Sequence, residues 1–151
     1  MSDEIHRFFV EGDPQPGGSK SGFYNKALGR VLMVDACKKN PAWKKNVAVY
    51  VRRGWKVAPL EGPLLVTMRF YLRRPKSHFG TGRNAAVLKA SAPKQHTQKP
   101  DLTKFVRSTE DALTGVLWGD DAQIVSQINS KEWAQYGQPV GVEIILEKVQ
   151  P

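Results

Sequence analysis

Several features are scarce or absent in this sequence of 151 residues, and each absence excludes a class of protein. The chain has one cysteine, Cys37, so it can form neither an internal disulfide nor a zinc site built from several cysteines. No apolar run reaches the roughly 18 residues that a membrane-spanning helix needs. The first ten residues are acidic and lack the apolar stretch of a signal peptide. We therefore expect a cytoplasmic protein without a membrane span.

Acidic residues are scarce in the middle of the chain. Between Asp35 and Asp101 the sequence has 15 basic residues and a single acid, Glu61, whereas from Asp101 onward it has eight acids and four basic residues. A basic body suits a nucleic-acid backbone because bound Lys and Arg release counterions, and clustered carboxylates bind Mg²⁺. With a net charge of +9, the pattern indicates a metal-dependent enzyme acting on phosphodiesters. The alternative is a basic surface kept for solubility beside a solvated acidic helix.

The apolar pattern predicts an α+β (α/β) fold in a single domain, residues 1–151, with a mixed sheet packed against two main helices. Helical spacing of apolar residues indicates helices from Pro41 to Gly54 and from about Leu102 to Thr114. The expected strands are Ile5–Val10, Gly22–Tyr24, Val31–Val34, Leu64–Leu72, Ile124–Trp133 and Val140–Lys148. Residues 73–100 contain no acid and are expected to form a long basic loop, which in a compact domain is usually functional or mobile.

Residues 99–124 contain the most informative acids. Because Pro100 disfavours helix before it, Asp101 should lie at the start of the second helix, while Asp120 and Asp121 precede a strand. If that helix and strand begin at one edge of the sheet, their carboxylates crowd together. Two such charges about 4 Å apart repel by roughly 4 kcal/mol at an effective dielectric near 20. A bound divalent cation removes this repulsion.

Each of these residues also has a purely structural interpretation. Asp101 is a suitable N-cap for the helix. Arg107 lies four residues before Asp111, where a surface ion pair stabilises a helix by a few tenths of a kcal/mol. The pair at 120–121 is equally compatible with an acidic turn. The sequence alone leaves both interpretations open for each position.

The same residues resemble the RusA-type Holliday-junction resolvases, small endodeoxyribonucleases common in phages and prophages. The family pattern is Lys-Pro-Asp-x-Asp-Asn-Leu, then a basic residue, then Asp-Ala-Leu, and later Asp-Asp-x-Gln. Residues 99–101, 111–113 and 120–123 match it. The early Gly-x-Pro-x-Pro turn at residues 12–16 and Lys131 are also similar to the family.

The resemblance implies catalytic carboxylates at Asp101 and Asp121 and an essential basic residue at Arg107. It also places Asp120 beside the second carboxylate, and Asp111 is a further candidate metal ligand.

The chain departs from the family pattern in the first turn of the helix. Thr103 stands where the pattern has its second Asp, Lys104 replaces Asn, and Arg107 replaces Lys. Glu110 lies seven residues after Thr103, on the same helical face and about 10.5 Å further along the axis. Glu110 is therefore a candidate substitute for the missing carboxylate and a candidate metal ligand.

These observations predict a Mg²⁺-dependent, structure-selective endodeoxyribonuclease that nicks branched DNA and resolves Holliday junctions, with Mn²⁺ as a possible substitute metal. The candidate DNA contacts are basic residues, namely Lys20, Arg73, Arg74, Lys76, Arg83, Lys94, Lys99, Lys104 and Lys131. The resemblance implies a homodimer, acting in the cytoplasm at the nucleoid. Two alternatives are a junction-binding protein with impaired catalysis and a broader nuclease that cuts flaps or forks.

Overall fold

The computed structural model describes residues 4–18, 20–35 and 37–151, with residues 20, 21, 34 and 35 described by their backbone. In chain order the elements are β1 (Ile5–Glu11), β2 (Lys20–Asn25), β3 (Arg30–Asp35), α1 (Asn40–Gly54), β4 (Leu64–Leu72), α2 (Leu102–Leu113), β5 (Ile124–Trp133) and β6 (Gly141–Lys148). The predicted order of strands and helices is confirmed. None of the helices in these residues is long and apolar enough to cross a membrane.

The strands form two separate sheets. The main sheet has the order β1-β6-β4-β5, in which β4 and β5 are parallel and the other pairs are antiparallel. The predicted mixed sheet and α+β class are thereby confirmed. The β2–β3 hairpin pairs only with itself and forms a second sheet of two strands. The apolar pattern could not separate the two sheets, because the hairpin is as rich in apolar residues as a core strand although many of them are exposed.

The hydrophobic core lies between the main sheet and the two helices. The apolar stripes predicted for the helices are buried as expected, in α1 at Trp43, Val47 and Val51, and in α2 at Phe105, Val106 and Leu113. Phe70 of β4 stacks on Phe105 with ring centroids 5.4 Å apart. Thr67, expected on the polar face of β4, is only 4% exposed, because β4 is a central strand between β5 and β6.

Buried polar contacts fix α2 against α1. Ser108 Oγ donates a hydrogen bond to Asn40 Oδ1 at 2.6 Å, and Trp43 Nε1 donates to Thr109 Oγ1 at 3.4 Å. All four residues are buried. Because buried polar groups are costly to leave unpaired, these bonds specify one rotational setting of α2, and that setting determines which of its side chains face outward.

The long segment at 73–100 is ordered by contacts with β5. It contains two short 3₁₀ helices, Lys76–His78 and Gly82–Asn84. Trp133 Nε1 donates to the Gln95 carbonyl at 3.2 Å, and Arg74 Nη1 donates to the Pro93 carbonyl at 2.8 Å. The end of this segment is thereby held beside the strand and leads directly into α2.

Candidate active site

Asp101 occupies the N-cap position of α2 without using its side chain as a cap. Its backbone carbonyl accepts hydrogen bonds from the amides of Lys104 and Phe105 at 3.1 and 3.3 Å, but its carboxylate makes no capping bond. The N-cap interpretation of this carboxylate is therefore wrong. An exposed aspartate at a helix start that does not cap the helix is available to an external ligand.

Asp101 lines a cavity of about 300 Å³ at the start of α2. The basic members of its wall are Lys99 and Lys104, and its remaining walls are Pro16, Gly17, Cys37, Asn40 and Pro100. Among the residues whose side chains the structure describes, one carboxylate thus stands beside two lysines in this cavity. This charge balance favours an anionic group such as a phosphate.

The glycine-rich turn before β2 packs directly against α2. The amide of Gly17 donates to the Lys104 carbonyl at 2.9 Å, and a Cβ placed on Gly17 would lie 3.0 Å from Cβ of Ser108. Gly18 has φ +82°, and a Cβ there would lie 2.5 Å from Cδ of Arg107. The glycines are needed for this close approach, and the stem of Arg107 is confined by it.

A second cavity, of about 390 Å³, lies along the outer face of α2. Its wall contains three carboxylates, Glu110, Asp111 and Asp121, together with Arg107 and Thr103. The other lining residues are Leu102, Val106, Gln127 and Asn129. We call this the acidic cavity. It brings together four of the predicted site residues, but Asp101 does not line it.

Asp121 is held in place by two donors. Thr114 Oγ donates to its Oδ1 at 2.5 Å, and Trp118 Nε1 donates to the same oxygen at 2.8 Å. Trp118 is fully buried, so the donor comes from the rigid core. The carboxylate therefore has a fixed orientation at the wall of the acidic cavity.

Glu110 is the most perturbed carboxylate of the site. Burial raises the pKa of Glu110, and the negative charges of Asp121 and Asp111 raise it further. The hydrogen bond that Gln127 Nε2 donates to Glu110 Oε1 and the charge of Arg107 oppose this rise in pKa. Asp121 and Asp111 are thus close enough to Glu110 for both to repel its carboxylate.

Asp120 builds the turn that presents Asp121. Its Oδ1 accepts from the Ala122 amide at 2.8 Å, and the Gln123 side chain accepts from the Asp120 amide at 3.0 Å. Gln123 Nε2 also donates to the carbonyls of Leu60 and Gly62, at 2.8 and 3.0 Å. The Asp-Asp-x-Gln spacing therefore has a structural reason: one Asp caps the turn, the next reaches the cavity, and Gln anchors the turn to the loop before β4.

Arg107 is exposed and forms no ion pair with Asp111, although the structure describes both residues. The interpretation of these two residues as an ion pair on the helix surface is therefore wrong. Arg107 lines the acidic cavity together with the three carboxylates.

The candidate DNA contacts lie in several different places in the structure. Lys99 and Lys104 line the Asp101 cavity, and three further residues are exposed along residues 73–100, namely Lys76, Arg83 and Lys94. Arg73 is also exposed and lies 3.3 Å from Asp13 in an ion pair. The side chain of Lys20 lies outside the described part of the chain.

Two other basic residues make internal contacts. Arg74 donates to the Pro93 carbonyl, and its guanidinium lies over the Trp133 ring at 5.4 Å. Lys131 Nζ donates to the carbonyls of Gln98 and Pro100. Both residues hold the 73–100 segment against β5.

Sequence reasoning missed two side chains of the acidic cavity, Gln127 and Asn129. Gln127 bonds Glu110, and Asn129 Nδ2 donates to Gln127 Oε1 at 3.4 Å. The signal was the strict alternation along β5, which places residues 127, 129, 131 and 133 on one face. That face contains polar residues although it points toward the helices, which indicates a polar site at the sheet edge.

The chemistry of the acidic cavity fits a hard divalent cation. Its ligands are carboxylate, amide and hydroxyl oxygens, which Mg²⁺ prefers, and Mg²⁺ is commonly bound by one or two carboxylates plus waters and substrate phosphates. Among the described residues no three His, Cys, Asp or Glu side chains form a group that could hold a metal ion by themselves. Asp101 and Asp121 line different cavities, so a cation shared by these two residues stays a prediction.

Comparisons with known proteins cover nearly the whole chain. The model of the family described as endodeoxyribonuclease RusA matches residues 15–147. An uncharacterized protein of Bacillus subtilis (strain 168), YqaN, is 29% identical over 146 residues, which make up 95% of this chain and 96% of YqaN. The family match includes both cavities and every candidate site residue.

Proposed function

As a member of the RusA family, this chain is an endodeoxyribonuclease that resolves Holliday junctions, and we propose that it nicks the junction in a Mg²⁺-dependent reaction in which Mn²⁺ can substitute. The observation that supports metal dependence is the acidic cavity. Its three carboxylates, Glu110, Asp111 and Asp121, are opposed by one basic lining residue, Arg107, in the part of the chain that the structure describes. A divalent cation would offset the repulsion that contributes to the raised pKa of Glu110.

We assign Asp121 and Glu110 as cation ligands, with Asp111 at the edge of the same cavity. Thr103 lines this cavity where the family pattern has Asp, and Glu110 lines it too, so Glu110 can supply the charge that Thr103 lacks. Held by these residues, a metal would supply activation of a water and stabilisation of the charge that develops on the phosphate. Asp120 is assigned to the turn, because its Oδ1 accepts a backbone hydrogen bond.

We assign Asp101 as the second catalytic carboxylate, on the substrate side of the helix start. Lys99 and Lys104 lie in the same cavity and bind the phosphate beside it. Arg107 lines the acidic cavity and has its stem packed against Gly18, so it can offer a bidentate contact to the scissile phosphate at little cost in side-chain entropy. Asp101 and Asp121 thus act on one phosphate from two sides.

Exposed basic residues of the 73–100 segment bind the DNA backbones outside the cut site. Arg73, Lys76, Arg83 and Lys94 are all exposed there. Contacts of this kind add affinity that falls with salt and carry little sequence information. The opposite, open face of the sheet includes Glu132, Glu143 and Glu147 and is less suited to DNA.

We propose that the active form is a homodimer, in which the β2–β3 hairpin provides contact with a second copy. A four-way junction has two symmetric strands to cut, and a two-fold dimer offers two matched sites. The hairpin presents five apolar side chains that are between 47% and 62% exposed, Phe23, Tyr24, Leu28, Val31 and Met33. An apolar patch of this kind suits protein contact rather than a polyanion. Met33→Glu should shift the molar mass measured by light scattering from dimer to monomer.

The whole of residues 1–151 acts as one nuclease domain in this proposal, with residues 73–100 as a basic DNA-binding segment. Its DNA substrate locates the activity in the cytoplasm, at the nucleoid. The match of the family model to residues 15–147 supports a single unit.

A cleavage assay tests the metal dependence and the substrate preference together. A synthetic mobile four-way junction, a Y-shaped fork and a linear duplex are incubated at fixed salt with Mg²⁺, with Mn²⁺ or with EDTA. Paired nicks in the junction with either metal, and none with EDTA, are expected. Binding without nicking in both metals would instead support a junction-binding protein with impaired catalysis, which Thr103 makes a specific alternative. Equal cutting of the fork would support the broader nuclease.

A further inference from the structure

Side chains on one face of β5 make polar contacts both with the acidic cavity and with the segment that leads into Asp101. Residues 127, 129, 131 and 133 lie opposite Val66, Met68, Phe70 and Leu72 of β4 in the parallel register, and these β4 side chains are in the core. At one end of the row Gln127 bonds Glu110 of α2. At the other end Trp133 bonds the Gln95 carbonyl. Lys131 lies between them.

Lys131 is bonded to the backbone that leads into Asp101. Its Nζ donates to the Gln98 carbonyl at 2.7 Å and to the Pro100 carbonyl at 2.9 Å. The Pro100 carbonyl belongs to the peptide group that joins Pro100 to Asp101. Hydrogen bonds from a charged donor are shorter and stronger than neutral ones. The bond to Pro100 therefore holds this peptide, and the bond to Gln98 holds the peptide two residues before it.

We infer that Lys131 is a positioning residue for Asp101 and not a DNA contact. This inference rests on the proposed function, because it assigns Lys131 a role in placing a carboxylate that acts on the scissile phosphate. The Asp101 side chain makes no capping bond, so the position of its carboxylate depends on the backbone that carries it. The backbone on its N-terminal side is held by Lys131.

The burial and the hydrogen bonds of the Lys131 ammonium group argue against a contact between this group and a DNA phosphate. A lysine that binds DNA needs its Nζ free toward solvent, whereas Lys131 is partly buried and uses two of its three donors on carbonyls. Lys94, six residues before Pro100, is exposed and is the matched example of a lysine that can reach a phosphate. The two lysines should therefore respond differently to the same substitution.

The test compares Lys131→Met, which keeps the length of the side chain without its donors, with Lys131→Arg, which keeps the donors, and with Lys94→Met. In Lys131→Met the single-turnover nicking rate should fall about 10-fold to 100-fold, as for partners that orient a catalytic group. Its junction affinity without cleavage, measured in Ca²⁺, should stay within twofold, and the slope of log affinity against log salt should not change. Lys131→Arg should recover most of the rate.

Lys94→Met should give the opposite pattern. Its junction affinity should weaken, and the slope of log affinity against log salt should be smaller by about 1. If Lys131→Met behaves in this way, Lys131 is a phosphate contact and the inference is overturned. Lys131→Met with an unchanged nicking rate overturns it as well.

Hydrogen exchange gives a readout that does not depend on catalysis. In Lys131→Met, amides in the peptide that spans residues 95–104 should exchange faster, while those of β6 should not change. Exchange that accelerates throughout the chain would mean a general loss of stability and would contradict a local positioning role. If the wild-type chain nicks no junction in either metal, the proposed function fails, but the exchange experiment still decides whether Lys131 orders the segment before Asp101.

Discussion

The two cavities beside α2 differ in charge, and the difference suggests how the site divides its work. Counting only described side chains, the Asp101 cavity has one carboxylate and two lysines, whereas the acidic cavity has three carboxylates and one arginine. The first suits an anion and the second a cation. A nuclease that uses a metal needs both, because the phosphate must be bound and its developing charge must be neutralised.

The helix itself reinforces this difference. The start of α2 carries a partial positive charge from its unpaired amides, and Asp101, Lys99 and Lys104 lie there. Glu110 and Asp111 lie near the end of the same helix, where that charge no longer helps an anion. Arg107 and the bond from Gln127 offset part of the repulsion that Glu110 experiences from Asp121 and Asp111, and a bound cation would supply further counter-charge.

The largest expected effect comes from removing one carboxylate from each cavity. Asp121→Asn and Asp101→Asn should each lower the nicking rate by at least about 10²-fold, while junction affinity stays within a few-fold. The two should differ in metal response, because only Asp121 lines the acidic cavity: Asp121→Asn should need a higher Mg²⁺ concentration for half-maximal rate. If both variants lost junction binding together with nicking, Asp101 and Asp121 would have structural roles, and the proposed division of work between the two cavities would be contradicted.

A smaller effect is expected from restoring the family's carboxylate. Thr103→Asp adds a fourth carboxylate to the acidic cavity and should keep or raise the metal-dependent rate, by up to about tenfold, which corresponds to about 1.4 kcal/mol of barrier. Thr103→Asn is the control, because Asn has nearly the same shape as Asp but no charge. A folded Thr103→Asp variant without activity would show that position 103 does not face the cation.

Asp120 should matter for stability more than for catalysis. Asp120→Ala removes the acceptor for the Ala122 amide and should lower the free energy of unfolding by about 1 kcal/mol, whereas Asp120→Ser keeps a capping oxygen. Urea denaturation measures both. At a temperature where all three proteins are folded, the nicking rate of Asp120→Ser should stay within a few-fold of wild type. A loss as large as that of Asp121→Asn would make Asp120 a metal ligand.

The smallest effect concerns the pH dependence of stability at Glu110. Because the pKa of Glu110 is raised in the folded state, chiefly by burial, its contribution to stability is fully present below the unfolded pKa of about 4.3. That contribution is lost as the pH rises through the folded value. Glu110→Gln should therefore be more stable than wild type at pH 7.5, by less than about 1 kcal/mol because solvent screens the site. At pH 4 the two should be equal.

Urea denaturation of Glu110→Gln at these two pH values, with Mg²⁺ absent, checks this expectation. Glu132→Gln, at an exposed position on β5, is the matched control. A Glu110→Gln variant less stable than wild type at pH 7.5 would mean that its bond from Gln127 outweighs burial and the neighbouring charges.

Local sequence patterns predicted the secondary structure and identified the charged residues that are candidates for the site. The spacing of Trp43, Val47 and Val51 defined α1, and the alternation from Leu64 to Leu72 defined β4, because helix and strand periodicities are properties of the chain itself. The separation of the β2–β3 hairpin from the main sheet was not predicted, because the apolar residues of a strand do not show which element packs against them.

The sequence by itself determined that a basic chain carries a compact set of carboxylates at the start of a helix and in a turn, since residue type and spacing are local information. Only the tertiary structure decided that Asp101 and Asp121 line separate cavities and that Glu110 joins Asp121 in one of them. It also decided that Lys131 binds backbone instead of facing solvent. These outcomes depend on how α2 is set against α1 and β5, and packing between elements far apart in the chain leaves no periodic signal in the sequence.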